Sequence, residues 1–249
     1  MASRKNRLDV MLVKKGLVQS RDRARAMILS GKVTVNNHMV DKAGTLVLPE
    51  DDIFLKGQDH PYVSRGGLKL EKALQILDVD IAGFVCLDVG ASTGGFTDCL
   101  LQHGVGRVYA VDVGYGQLAW KLRQDPRVIV IERKNIRRLG FETLSQRVDL
   151  VTIDVSFISL KKDVPGVVKF MKKDARILAL IKPQFEVGRQ HVGKKGVVRD
   201  PALHANIIKE LMAFFIKMEL IHEFVIPSPI LGPKGNKEFF ISLKFESST

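Results

Sequence analysis

The stretch that most constrains this chain is Val85-Cys86-Leu87-Asp88-Val89-Gly90-Ala91-Ser92-Thr93-Gly94-Gly95-Phe96-Thr97. An apolar run ends in an acid, passes through a loop of small residues and opens into Phe96-Thr97-Asp98-Cys99-Leu100-Leu101. That order predicts a strand, a tight loop and a helix N-terminus, the opening unit of a nucleotide-type site in an open α/β sheet. Glycines let the backbone approach a ligand closely, and the helix start offers free N–H groups. The loop lacks the lysine of a P-loop and does not keep the G-x-G-x-x-G spacing. An adenosyl ligand without phosphates, S-adenosylmethionine, fits it better than ATP or NAD. A structural glycine turn is the competing reading of the loop taken alone.

From Phe84 onward strands alternate with helices, as a parallel sheet requires. Arg107 to Val111 is a second strand ending at Asp112, 24 residues after Asp88. An acid there can hydrogen-bond a ribose diol. Val128 to Ile131 is a third strand, followed by Asn135-Ile136 where an adenine edge can be met. Asp149 to Asp154 delivers Asp154 at the end of a fourth, and Arg176 to Ile181 delivers Lys182 at the end of a fifth. A helix from about Pro201 buries Leu203, Ile207, Ile208, Leu211 and Met212, and the segments Leu220 to Ile226 and Glu238 to Phe245 complete the sheet. Ligands bind at the C-terminal strand ends of such sheets, so Asp88, Asp112, Asp154 and Lys182 converge on one edge. One charged strand end is an ordinary surface residue; four in succession point to a site.

The first 59 residues read as a separate small module. Leu8, Met11 and Leu12 mark one short helix; Ser20 caps a second, which buries Ala24, Met27 and Ile28 and stops at Gly31. Arg21, Arg23 and Arg25 cluster at the start of that helix, beside a basic hairpin from Lys32 to Val40. A net charge of +12 supports the same reading, because a basic surface gains affinity for polyanions through phosphate neutralisation. The order helix, basic helix, Gly-Lys-Val-Thr-Val-Asn hairpin resembles the small RNA-binding domain first known from ribosomal protein S-four, over Leu8 to about Leu55. That resemblance implies recognition of structured RNA and is silent on chemistry. Residues 60–63 read as a linker and 64–249 as the second domain.

No apolar run reaches the length of a membrane span, and the polar N-terminus does not resemble a secretory signal. Two cysteines, Cys86 and Cys99, make neither a disulfide framework nor metal-ligand spacing, and the histidines stand singly. The expectation is a cytoplasmic protein without a metal.

Six motifs together resemble the TlyA family, S-adenosylmethionine-dependent ribose 2′-O-methyltransferases of ribosomal RNA related to FtsJ. They are Val63-Ser64-Arg65-Gly66-Gly67-x-Lys69-Leu70, the Asp88 to Thr97 loop, Val111 to Leu118, Asp154-Val155-Ser156-Phe157-Ile158-Ser159-Leu160, Lys182-Pro183-Gln184-Phe185-Glu186 and Gly235-Asn236-x-Glu238. The resemblance implies a Rossmann-like class I methyltransferase sheet, with the family's Lys-Asp-Lys-Glu tetrad on Lys69, Asp154, Lys182 and Glu238. Lys182 would activate the 2′-hydroxyl, Asp154 and Glu238 would orient, and Lys69 would add a second positive charge. Cofactor contacts are expected at Asp88, Gly90, Ala91, Ser92, Thr93, Gly94, Phe96, Asp112, Val113, Asn135, Ile136 and Asp154. RNA contacts are expected at Arg4, Arg7, Arg21, Arg23, Arg25, Lys32 and Arg65, and at Arg189, Lys194 and Lys195 of a basic loop from Gly188 to Val198. Phe157 is read as a core residue, with stacking on a displaced base as the alternative.

The linker departs from the family's Arg-x-Trp-Val, carrying His60-Pro61-Tyr62-Val63 instead. The short C-terminal end favours large-subunit RNA, with cytidine as the target. Two rival readings are a non-catalytic RNA-binding protein on a methyltransferase fold and a membrane-active hemolysin. The intact tetrad opposes the first, and the lack of a long apolar segment opposes the second.

Overall fold

The computed structural model describes residues 5–36, 38–55, 60–188, 191–193, 196–232 and 235–245. Arg4, Arg189, Lys194 and Lys195 lie outside them. The chain forms two compact units, Met1–Pro61 and Tyr62–Thr249.

In the first unit, β1 (Asn6–Arg7) and α1 (Leu8–Lys14) precede α2 (Arg21–Leu29), β2 (Val33–Val35), β3 (His38–Met39), β4 (Leu46–Val47) and β5 (Ile53–Leu55). The Ser20 hydroxyl accepts from the Arg23 backbone N–H at 3.2 Å, closing the start of α2 as an N-cap should. Leu8, Met11 and Leu12 of α1 meet Ala24, Met27 and Ile28 of α2 over Val33 and Val47, so the helical spacing in the sequence is the packing pattern. Strand β2 lies between β3 and β5, antiparallel to both, and β1 pairs with β4.

The second unit begins with α3 (Gly66–Leu77) and β6 (Val85–Val89), followed by α4 (Gly95–Gln102), β7 (Arg107–Val111), α5 (Trp120–Arg123) and β8 (Val128–Ile131). After these come β9 (Val148–Ile153), α6 (Leu160–Val168), β10 (Met171–Ile181), α7 (Pro183–Glu186), α8 (Pro201–Ile216), β11 (Leu220–Pro227) and β12 (Phe239–Phe245). The sheet order is β11-β12-β10-β9-β6-β7-β8, parallel from β8 through β10, with β12 antiparallel between β10 and β11. Two 3₁₀ turns, Ile136–Arg138 and Phe141–Thr143, stand where the alternation predicted a helix between β8 and β9.

Alternate strand residues feed two cores. Leu87, Val89, Ile177, Ala179 and Ile181 pack with Val164 and Val167 of α6 and with Ile207, Leu211 and Phe215 of α8. Cys86, Leu178 and Leu180 pack with Leu70 and Leu74 of α3 and Cys99 and Leu100 of α4. Both faces are therefore covered, which explains the nearly continuous apolar strands. From β6 the chain runs outward through β7 and β8, then crosses back to β9 on the other side of β6. That reversal opens a crevice at the C-terminal ends of β6 and β9. Tyr62 and Val63, read as linker, are anchored in this unit: the Tyr62 ring is buried in the second core, and the Val63 N–H donates to Asp98 Oδ2 at 2.7 Å.

Candidate active site

The crevice is walled first by the loop after β6. Gly90 adopts φ +83°, and a β-carbon there would stand 2.7 Å from the Asp154 carbonyl oxygen, so only glycine lets this loop lie against the end of β9. The Gly90 and Ala91 N–H groups both donate to the Val111 carbonyl, at 2.9 and 3.2 Å. Asp112 accepts from the Ser92 N–H at 2.8 Å and the Gly114 N–H at 2.6 Å. The acid after β7 thus ties its own loop to the glycine loop while standing at the rim.

Two cavities open here, of about 500 and 460 Å³, sharing Gly90, Ser92, Asp154 and Ser156. The smaller is walled by Asp112, Val113, Asn135, Ile136 and Ile158, an acid beside an apolar slot, which are the groups an adenosyl ligand requires. The larger is lined by Ala91, Thr93, Phe96, Arg65, Lys69 and Lys182. Two expected cofactor residues lie on neither wall. Asp88 is fully buried and accepts from the Thr97 hydroxyl at 2.6 Å and the Thr152 hydroxyl at 3.0 Å. It braces the loop from beneath, and burial foremost pushes its carboxyl up to about 6 against those two donors. Gly94 is the N-cap of α4 at φ +95°, where a β-carbon would collide with Leu122 at 2.2 Å. Its smallness serves helix packing.

Four distant residues form two ion pairs here, with Lys69, Asp154 and Lys182 on the wall of the larger cavity and Glu238 behind it. Lys69, in the first turn of α3, is buried and donates to Glu238 Oε2 at 2.5 Å across 169 residues of sequence. Glu238, just before β12, is itself buried, behind Lys69 and against Gly232. Lys182, at the end of β10, stands 2.6 Å from Asp154 Oδ1 and donates to the Ser156 hydroxyl at 3.0 Å. Two ammonium groups are thereby held by acceptor-only carboxylates and turned to one cavity, an arrangement able to stabilise an oxyanion. Ser156 was not among the expected site residues, although its place two residues beyond Asp154 carried the signal.

Phe157 is not a core residue. It is 89% exposed, adopts φ +66° and leans on Phe185 with ring centroids 5.0 Å apart. The left-handed turn after Asp154 and Ser156 throws its ring outward at the smaller cavity. Asn236 of the last motif has a bracing role: its amide donates to the Gly196 carbonyl at 3.0 Å and accepts from the Val198 N–H at 3.1 Å, pinning the described end of the basic loop.

In the first unit, the fully buried Asp9 gathers three half-exposed arginines: Arg7 at 3.0 Å, Arg21 at 3.0 Å and Arg25 at 3.3 Å. Burial alone would raise its pKa, but the hydrogen bonds and charges of Arg7 and Arg21 prevail and hold the carboxyl well below the usual range. Asp22 also pairs with Arg25 at 3.5 Å, so two negative charges against three positive ones still leave a net cationic cluster. Arg23 lies outside that cluster, and Lys32 is exposed on the approach to β2.

The FtsJ-like methyltransferase model matches residues 62–245, and the S4 domain model matches residues 6–53. The chain belongs to the FtsJ-like methyltransferase family. Within it, YqxC of Bacillus subtilis is 47% identical over 98% of this chain and 87% of its own length. The 16S/23S rRNA (cytidine-2′-O)-methyltransferase TlyA of Mycobacterium tuberculosis is 44% identical over 98% of this chain and 92% of its own. A solved structure from Streptococcus thermophilus that carries a hemolysin name is 40% identical, with a TM-score of 0.78 over 99% of this chain and 90% of that one. The hemolysin name thus sits within this methyltransferase family. Among the described residues no helix is long and apolar enough to cross a membrane.

Proposed function

We propose that this protein transfers the methyl group of S-adenosylmethionine to the ribose 2′-hydroxyl of a cytidine in ribosomal RNA. The observation that carries the reading is the two ion pairs, the buried Lys69–Glu238 and the partly buried Lys182–Asp154, at a cavity sharing a wall with the one suited to an adenosyl group. The TlyA relative's activity supports the same assignment.

S-adenosylmethionine, when bound, supplies a methyl group already activated by its sulfonium. What remains for the protein is alignment and management of the acceptor proton. Asp112 receives ribose hydroxyls while Val113, Ile136 and Ile158 flank the base. Lys182, oriented by Asp154 and Ser156, meets the acceptor hydroxyl; as the methyl passes to that oxygen, the hydroxyl proton leaves to Lys182 Nζ while that nitrogen hands a proton on to Asp154. Lys69, held by Glu238, adds a second positive charge to the same cavity, so the oxygen turns nucleophilic in a preorganised field. The exposed Phe157 ring serves as a platform for the displaced acceptor base, since base–aromatic stacking contributes about 1–3 kcal/mol. The cationic cluster around Asp9, with Lys32 and Arg65, contacts RNA phosphates. On this reading residues 1–59 supply RNA affinity and 64–249 the chemistry.

The test is transfer of labelled methyl from S-adenosylmethionine to both ribosomal subunits of a strain lacking this protein. Wild type is expected to label a ribose 2′-oxygen, and Lys182→Ala to lose about a hundredfold or more in rate while still binding S-adenosylhomocysteine. Wild type that binds cofactor and RNA yet labels neither subunit would leave a binding protein in place of an enzyme.

A further inference from the structure

The smaller cavity contains a carboxylate that neither the strand ends nor the family motifs pointed to. Asp163 lies in the first turn of α6, yet its side chain is only 6% exposed and faces the cavity wall formed with Asn135, Ile136 and Ile158. An acid in a helix's first turn is well served at the surface, where it meets the dipole without losing solvent. Burial instead penalises its charge, and the carboxyl is raised by burial despite the opposing charges of Arg137 and Lys162. Among the described residues it makes one ion pair, Oδ1 to Arg137 Nε at 3.4 Å, and no hydrogen bond. The buried acid is left with acceptor capacity turned to the cavity.

The neighbouring acceptor is already committed. Asn135 Oδ1 receives both the Arg137 backbone N–H at 3.0 Å and the Arg137 Nε–H at 3.2 Å. On the S-adenosylmethionine reading Asp112 would mark the ribose end of the cavity, and the same wall carries Val113 and Ile158 as apolar groups and Asn135 and Asp163 as polar ones for the base. Adenine differs from hypoxanthine at that edge by an exocyclic amine, a donor, in place of a carbonyl oxygen, an acceptor. A carboxylate accepts only, so it welcomes the first and repels the second.

We infer that Asp163 accepts a hydrogen bond from the exocyclic amine of the cofactor's adenine and selects adenosyl over inosyl ligands. Arg137 is the positioning residue, bridging Asn135 and Asp163 so that one carboxylate oxygen stays aimed at the base edge. The inference rests on the S-adenosylmethionine reading and adds the residue that recognises the base.

Calorimetric titration of the full-length protein with S-adenosylhomocysteine and S-inosylhomocysteine tests it without turnover. Wild type is expected to bind the adenosyl ligand at least about tenfold more tightly, the scale of a hydrogen bond to a charged group. Asp163→Asn, whose amide can donate to the hypoxanthine carbonyl, is expected to weaken the adenosyl ligand by about tenfold and to erase most of the preference. Equal wild-type affinities, or a preference unchanged in Asp163→Asn, would overturn the assignment. The wild-type comparison stands even if the variant fails to fold. Absence of binding by both ligands would instead remove the cofactor reading itself.

Discussion

At the scale of single residues, the site is built from charges that burial penalises and partners redeem. Glu238 is buried with Lys69 as its cation, so removing the lysine abandons a carboxylate in the interior. Lys69→Met is expected to lower stability by about 3–5 kcal/mol in urea unfolding. Glu238→Gln, which keeps an acceptor, is expected to cost less while still impairing transfer. Asp88 adds a pH signature. Its folded carboxyl holds a proton up to about pH 6, whereas an unfolded one releases it near the ordinary aspartate value of about 3.9. The folded state binds more protons in that window, so this residue's contribution to stability falls as pH rises from about 4 to about 6 and is level above. Urea midpoints across that range, wild type minus Asp88→Asn, should decline with pH. Asp9, held low by its arginines, acts in the opposite sense: its contribution is present above the ordinary aspartate range and fades as pH falls below it.

At the scale of elements, strand ends and loops decide what the cavities can hold. Gly90→Ala would force a methyl group into the Asp154 carbonyl and strain a left-handed φ, so it is expected to cost about 1–3 kcal/mol and to weaken S-adenosylhomocysteine binding together. Thermal unfolding and titration calorimetry would read both effects. Glu186 of α7 accepts from the Ser159 hydroxyl at 2.6 Å and the Leu160 N–H at 2.8 Å, which ties the segment after Lys182 to the start of α6. The strands and their terminal acids were legible in the sequence because a doubly covered sheet demands long apolar runs, and a charge can stand only where such a run leaves the core. Asp88 was misplaced for the same reason: it ends a run, yet Thr97 and Thr152 supply the donors that keep it inside. Lys69 entered the site through the family resemblance and not through any local pattern, because its partner Glu238 comes from the far end of the chain. Phe157 was assigned to the core by its apolarity, and a left-handed backbone turned it out. Asp163 carried no local signal, because its meaning depends on a cavity assembled by the four loops after β6, β7, β8 and β9.

At the scale of the whole molecule, chemistry and RNA affinity are expected to separate by unit. The arginines around Asp9 are half exposed and project net positive charge, so Arg21→Ala and Arg25→Ala should each weaken rRNA binding across sequences and reduce the salt slope by about one. Titrations at several salt concentrations would show this, with S-adenosylhomocysteine affinity unchanged. The two cavities also differ in how much of the chain they require. The one suited to an adenosyl group draws its wall from residues 89–163, whereas the Lys69–Glu238 pair behind the other joins the first helix of the second unit to its last strand. On the ribosome, a growing chain therefore completes the walls of its nucleoside pocket long before Glu238 has been synthesised. On the proposed reading catalytic competence would arrive with the final strand, because a chain ended before Glu238 would hold the residues of the smaller cavity and the Lys182–Asp154 pair but not the Lys69–Glu238 pair.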